Sequence, residues 1–232
     1  MAMLFKPLVY TQEQVQWLET RGMVYQLLMD FLSRPPRMSS IAQWRRKVER
    51  NPKAGISKGG RRLIAYLKSI PEAGFRSVCH QEAKEYERLF SGREAIIPSC
   101  ESLFRSRREG AGAMACSAEV RKLYMDNAVV FNKLNGERDD HIALELEFMA
   151  VLAEGMLAKA NLQQLSCLAL ADAQIHFLES HLLKWAQSFA QELMQATKSP
   201  LFTGLAELLD EFLVDDLQQL RAWRESQQPA MG

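Results

Sequence analysis

Apolar residues recur at spacings of three and four along almost the whole chain of 232 residues. This spacing places them on one face of an α-helix, whereas a β-strand would require strict alternation. No segment alternates convincingly, so the sequence predicts an all-α fold. The predicted helices vary too much in length for a repeat array, and they lack the sustained heptads of a long coiled coil. We therefore expect an irregular helical bundle.

Local signals predict where several of these helices begin and end. Thr11 and Gln14 form a capping-box pair before the first helix, and Ser57 is placed to cap the third. Ser199 and Pro200 open the last helix, with proline at the favoured first position. Residues 91–115 contain prolines, glycines and arginines without helical spacing, and predict a long irregular loop. Further helices are predicted over residues 117–134, 140–159 and, with a bend, 162–197.

The length and composition suit a single folded domain, with 47% hydrophobic and 25% charged residues. We predict one all-helical domain over residues 1–232, with halves of about 1–136 and 137–225 and a disordered tail over 226–232. A hinge near Gly136 joins the halves. No apolar run reaches the roughly 18–20 residues of a membrane span, and the first residues do not resemble a signal peptide. We expect a cytoplasmic protein without stable membrane insertion.

Charge is distributed unevenly between the predicted halves. Residues 1–136 carry 23 lysines and arginines against 13 acidic residues, whereas residues 137–232 carry 6 against 15. The halves can attract each other, or they can present surfaces with different electrostatic roles. Arg105, Arg107 and Arg108 could contact phosphate, but exposed arginines are more often simply solvated. We expect no nucleic-acid partner.

The segment at the start of the second half carries the chemically richest group of residues, Asp139, Asp140, His141 and Glu145. His141 and Glu145 would share one face of a helix, so a divalent metal site, and hence a metal-dependent hydrolase, is one interpretation. The simpler interpretation is that Asp139 or Asp140 caps the following helix. The sequence lacks phosphate-binding loops and nucleophile-elbow motifs. We predict a binding protein that is not an enzyme and has no cofactor.

Three segments of the chain form a combined pattern that goes beyond helical spacing. The segments are Tyr86–Gly92 with Pro98–Phe104, Glu137–His141 with Leu144–Met149, and Phe177–Trp185 with Pro200–Phe202. In this order and spacing they resemble the TorD/DmsD family of redox-enzyme maturation chaperones over roughly residues 20–215. The middle segment is similar to the family's E-x-P-D-H signature, with Asp139 in place of the proline.

The resemblance implies a cytoplasmic chaperone for a molybdenum-cofactor oxidoreductase of the DMSO/TMAO reductase type. Such a chaperone binds the twin-arginine signal peptide and the apo catalytic subunit, and assists cofactor insertion and proofreading before export. It would be a monomer or a domain-swapped dimer. The alternative is a helical adaptor that binds a folded partner through its acidic face.

The predicted peptide-binding residues are Leu89, Phe90, Gly92, Pro98, Glu101, Ser102, Asp140, His141 and Glu145. We expect the leader to lie between the halves, against the predicted loop and the start of the helix at Asp140. A twin-arginine leader has two guanidinium groups followed by an apolar stretch, so its receptor should offer carboxylates beside a hydrophobic surface. Leu89 and Phe90 would form the apolar lip. His141 would orient Asp140 or respond to protonation near neutral pH.

Overall fold

The computed structural model describes residues 10–50, 57–92, 95–110, 113–133, 136–159 and 164–227. Within these ranges the chain consists of helices and their connections, which confirms the predicted all-α class. The helices are α1 (Gln12–Leu32), α2 (Met38–Arg50), α3 (Lys58–Ser69), α4 (Phe75–Phe90), α5 (Glu101–Glu109), α6 (Ala113–Asp126), α7 (Ile142–Lys159), α8 (Gln164–Phe177), α9 (Leu183–Ala196) and α10 (Pro200–Ser226). A short 3₁₀ turn, Glu72–Gly74, precedes α4.

The predicted helix starts are confirmed where a local side chain caps them. Thr11 and Gln14 form the reciprocal capping box of α1. The Ser57 hydroxyl accepts a hydrogen bond from the Gly60 amide at the start of α3. Ser199 accepts from two amides in the first turn of α10, where Pro200 occupies the first position. These signals involve residues within one turn of each other, so they can be read from the sequence.

The predicted loop over residues 91–115 is wrong, because α5 and the start of α6 lie inside it. Gly110 ends α5 in the left-handed conformation, with φ of 66°. The predicted helix over residues 117–134 ends early, at Asp126. Its last turn is closed by Ala128, which also has positive φ, and by a hydrogen bond from the Val129 amide to the Tyr124 carbonyl. The predicted bend within residues 162–197 corresponds to a π-helical segment, Leu178–Leu182, between α8 and α9.

Helices from the two predicted halves pack directly on each other. The largest helix–helix contact joins α1 to α7, and the next joins α3 to α10, which also packs on α9. At the centre, Arg21 of α1 forms a fully buried ion pair with Asp216 of α10. Gly136, the predicted hinge, has a positive φ of 71°. The single-domain organisation and the hinge stay predictions.

The ends of the chain lie largely outside the described residues. Of the predicted tail over 226–232, Ser226 ends α10 and residues from 228 onward are outside the described part. Among the described helices, none is both long enough and apolar enough to span a bilayer. All four cysteine thiols are free.

Candidate functional site

Two segments far apart in the sequence meet at the start of α5 and α7. An isolated antiparallel bridge pairs Cys100 with His141. The Glu101 amide donates to the Asp140 carbonyl and the Ile142 amide donates to the Ser99 carbonyl, each at 2.8 Å. This bridge joins the N-termini of α5 and α7. It brings together the predicted site residues of both segments.

Asp140 caps α5, not the helix that follows it. Its Oδ2 atom accepts from the Ser102 amide at 2.8 Å, and Arg138 donates to both Asp140 Oδ1 and the Ser102 hydroxyl. Burial tends to raise the pKa of the Asp140 carboxyl, but hydrogen bonds from Ser102 and Ser117 and the charge of Arg138 lower it overall. The prediction that Asp139 or Asp140 caps α7 is therefore wrong.

His141 takes the capping position of α7. Its Nδ1 atom accepts a hydrogen bond from the Ala143 amide at 3.2 Å. Burial lowers the pKa of the imidazole below its ordinary value, against the opposing charges of Glu137 and Asp140. A neutral imidazole is the form that can accept from an amide at Nδ1. The capping hydrogen bond and the lowered pKa therefore both favour the neutral imidazole of His141.

Asp139, which stands where the family signature has proline, is held by ion pairs. Lys133 and Arg121 both donate to its carboxylate, the latter with an Nη2–Oδ2 distance of 2.7 Å. The Tyr124 hydroxyl donates to the Asp139 carbonyl at 3.0 Å. These ion pairs and the Tyr124 hydrogen bond hold the backbone just before α7, at the position where the family signature has proline.

Glu101 and Glu145 are fully buried carboxyl groups behind this junction. Glu101 accepts from Arg105 at 2.8 Å and pairs with His181 Nδ1 at 2.8 Å. Glu145 accepts from the Trp185 indole at 3.2 Å. Burial, with the nearby charge of Glu101, raises the pKa of Glu145 well above its ordinary value.

The postulated metal pair of His141 and Glu145 does not form. The Glu145 carboxyl faces Trp185 in the core, while His141 Nδ1 is engaged by the Ala143 amide. Within the part of the chain that the structure describes, no group of three or more histidine, cysteine, aspartate or glutamate side chains is arranged to hold a metal ion.

The predicted apolar lip is packed inside the bundle. Leu89 is fully buried, so the expectation that it lines an open groove is not supported. The half-buried Phe90 ring packs on Phe189 and Phe202, each with ring centroids 6.0 Å away. Gly92 ends the turn after α4 with φ of 78°, and Pro98 lies half-buried before α5. None of these four residues lines the cleft between α1 and α7.

An open cleft of about 260 Å³ lies between the end of α1 and the start of α7. His141 is the predicted site residue that lines it, and Asp30, Glu137 and Glu147 add three carboxylates. Asp30 also accepts from the Trp44 indole at 2.7 Å, and burial raises the pKa of Glu147. The remaining lining residues are Met29, Ser33, Arg34, Asn132, Ala143 and Leu144.

Sequence reasoning missed Asp30 and Glu147. Glu147 lies within the 144–149 segment that follows the Glu137–His141 signature, and its charge close to that signature was the available signal. Asp30 belongs to α1 and reaches the cleft only because α1 packs along α7. No local spacing connects the two helices. The second wall of this cleft is therefore α1, whereas the predicted leader site has the 91–115 segment as its second wall, and that location stays a prediction.

The arginine cluster of α5 is engaged within the protein. Arg107 and Arg108 both pair with Glu192 of α9. Their guanidinium groups lie 5.4 and 5.7 Å from the centre of the Phe104 ring. Ion pairing and stacking of this kind fix α5 on α9 and give no independent sign of a phosphate ligand.

A family model described as the nitrate reductase delta subunit matches residues 55–191, which include the junction and most of the cleft. The chain belongs to this family. The resemblance to TorD-type proteins is confirmed, because the same match and the named relatives point to that group. The family assignment rests on more than half of the chain.

Curated relatives of this family member align with it over about a hundred residues. A "Chaperone protein TorD" of Vibrio cholerae, Classical Ogawa strain, is 34% identical over 98 residues, which is 42% of this chain and 44% of the relative. The "Perchlorate reductase assembly chaperone protein" of Dechloromonas aromatica is 28% identical over 102 residues, 44% of this chain and 45% of the relative. The alignments span less than half the length of either relative.

Proposed function

We propose that the protein is a cytoplasmic chaperone for maturation of a molybdenum-cofactor oxidoreductase of the DMSO/TMAO reductase type. It binds the twin-arginine leader and the apo catalytic subunit, assists cofactor insertion and releases the enzyme for export. Two relatives named for TorD and for perchlorate reductase assembly support a chaperone of reductase maturation. Its oligomeric state, a monomer or a domain-swapped dimer, stays a prediction.

The single observation that carries the proposal is the acidic cleft between α1 and α7. Asp30, Glu137 and Glu147 face the same opening, with Arg34 as the cation beside them. A guanidinium group offers five donors in a planar fork that matches carboxylate oxygens. Several carboxylates around one cleft are suited to the two adjacent guanidinium groups of a twin-arginine motif.

In this proposal the buried residues of the predicted site hold other residues in place and do not contact the leader themselves. Asp140 and Ser102 tie α5 to the segment before α7, and that segment carries Glu137 and His141 to the cleft. Glu101, Ser102, Asp140 and Glu145 are fully buried, so a peptide on the surface does not touch their side chains. Leu89, Phe90, Gly92 and Pro98 lie outside the cleft, and their direct contact with a leader stays a prediction.

Calorimetric titration with a synthetic twin-arginine leader tests the proposal. We expect Asp30→Asn and Glu147→Gln each to weaken binding about tenfold, since a hydrogen bond to a charged group contributes about 1.5–3 kcal/mol. Glu72→Gln removes an exposed carboxylate that does not line the cleft and is the matched control. Replacing both leader arginines with lysine should also weaken binding, because lysine cannot make the bidentate contact.

Unchanged affinity in Asp30→Asn and Glu147→Gln would show that the leader binds elsewhere. The adaptor alternative makes a different prediction, since an adaptor would retain the apo catalytic subunit equally well after deletion of its leader. A pull-down with and without the leader distinguishes the two functions.

A further inference from the structure

A second cleft, of about 230 Å³, lies between α1 and α7 further along the same helix pair. Both helices contribute the same number of residues to its lining. The lining residues are Leu18, Glu19, Gly22 and Gln26 of α1, and Ala150, Ala153, Glu154 and Leu157 of α7. None of them belongs to the predicted site, and the proposed arginine contacts do not use them.

The two clefts follow one another along the contact between α1 and α7, and we refer to the two together as the groove. Both helices supply the lining at three- and four-residue steps, which keeps the lining residues on one face of each helix. On α1 the face runs from Gly22 through Gln26 to Ser33, and on α7 from Ala143 through Ala150. The helices are antiparallel here, because the start of one meets the end of the other. From Glu19 to Ser33 the groove is about 20 Å long at the helical rise per residue.

The floor of the second cleft is made of small residues. Gly22 has no side chain, and a Cβ atom built there would meet nothing within 4 Å. Ala150 and Ala153 lie opposite on α7. The apolar side chains of Leu18 and Leu157 close the far end. The floor therefore offers an apolar surface close to the helix backbones.

Two exposed carboxylates flank the far end of the groove, Glu19 on α1 and Glu154 on α7. Neither forms an ion pair with another residue in the part of the chain that the structure describes. The groove thus has carboxylates at both ends and an apolar floor in between. This arrangement is complementary to a peptide that is basic at both ends and apolar in its middle.

We propose that the groove holds the apolar stretch that follows the arginines of the leader. The arginines lie at Asp30 and Glu147, the apolar stretch covers Gly22 and Ala150, and a basic residue beyond it reaches Glu19 and Glu154. This inference rests on the proposed function, because it takes the arginine position from it. A segment of about 13 helical residues matches the length of the groove.

The test is a titration of two peptides against two leucine variants of α1. One peptide carries the arginine pair and the full apolar stretch, and the other ends directly after the arginine pair. Gly22→Leu places a side chain in the groove, whereas Gln16→Leu places the same side chain at an exposed position of α1 that lines neither cleft and is the matched control. We expect Gly22→Leu to weaken the long peptide at least tenfold and to leave the short peptide within twofold of the parent. Gln16→Leu should stay within twofold for both.

Equal affinity of the long peptide for Gly22→Leu and Gln16→Leu overturns the groove assignment, while binding of the short peptide keeps the proposed function. Failure of both peptides to bind the parent overturns both. The double variant Glu19→Gln/Glu154→Gln provides a second measurement with little effect on folding. It should weaken a long peptide that ends in lysine about fivefold, and a long peptide that ends in glutamine less than twofold. Equal effects on the two peptides would also overturn the assignment.

Discussion

At the scale of single residues, Glu145 is a carboxyl group in the protein core. It is fully buried, and within the described structure its Oε1 atom has no hydrogen-bond partner. Such a group is tolerated when it is protonated, because an uncompensated buried charge is costly. Its raised pKa means that the folded state holds a proton that the unfolded chain releases near pH 4.5.

The Glu145 carboxyl makes stability fall as pH rises. Its contribution is complete below the unfolded pKa and is lost as pH rises toward the raised folded pKa. We expect Glu145→Gln, which keeps the shape without the titration, to flatten the decline in unfolding free energy above about pH 4.5. Urea unfolding from pH 4.5 to 8 measures how the unfolding free energy changes with pH, with Glu72→Gln as the exposed control. Parallel profiles for Glu145→Gln and the parent would show that the carboxyl is not protonated in the fold.

His141 should produce the opposite pH dependence. Its folded pKa lies below the unfolded value, so its contribution is lost as pH falls through about 6.5 toward the folded value. Protonation also removes the Nδ1 acceptor that caps α7. His141→Asn should keep the cap and lose the acid sensitivity, while His141→Ala should cost about 1 kcal/mol at pH 7.5. Thermal unfolding at pH 7.5 and 5.5 separates the variants, and equal acid sensitivity in His141→Asn would assign the effect to another group.

At the scale of elements, the glycines of α3 and α1 serve different purposes. Gly59 packs against the backbone of α10, where a Cβ atom would lie 2.8 Å from the Glu207 carbonyl carbon and 2.9 Å from the Leu208 nitrogen. Gly22 faces the open groove. Close packing of α3 on α10 therefore explains why the chain has glycine at position 59.

Alanine substitutions at these two glycines should have opposite effects on stability. Gly59→Ala forces α3 away from α10 and should cost about 1–3 kcal/mol. Gly22→Ala should stabilise by up to about 1 kcal/mol, because alanine is the better helix former. Chemical denaturation of both variants gives the comparison. A Gly59→Ala protein as stable as the parent would mean that the α3–α10 contact adjusts without cost.

The sequence predicts those elements whose signals lie within one helical turn. The caps at Thr11, Ser57 and Ser199 are of this kind, and all three are present. Helix α5 was not predicted because its cap, Asp140, lies far along the chain from it. The lining of the cleft was predicted only in part for the same reason, since Asp30 reaches the cleft through the packing of α1 on α7. Such features depend on packing between residues that lie far apart in the chain, and a single sequence does not reveal this packing.

At the scale of the whole molecule, α1 links the predicted halves. It lies along α7, and it provides one wall of both clefts. The basic first half and the acidic second half meet in its buried ion pair, where Arg21 contacts Asp216 with an Nε–Oδ1 distance of 2.6 Å. Tyr25 donates to the same carboxylate, and Arg21 also donates to Gln174 of α8. Removal of α1 from this position would open the groove.

Arg21 and Asp216 should therefore show strong coupling in a double-mutant cycle. Arg21→Met leaves a buried, unpaired carboxylate and should cost about 3–5 kcal/mol, whereas Arg21→Met/Asp216→Leu should regain most of this loss. The exposed pair Arg221–Glu179 is the control, and its removal should cost less than about 1 kcal/mol. Urea unfolding measures all variants, and additive losses at Arg21 and Asp216 would contradict the coupling. Because α1 forms a wall of the cleft, Arg21→Met should also weaken leader binding, and the double variant should restore it.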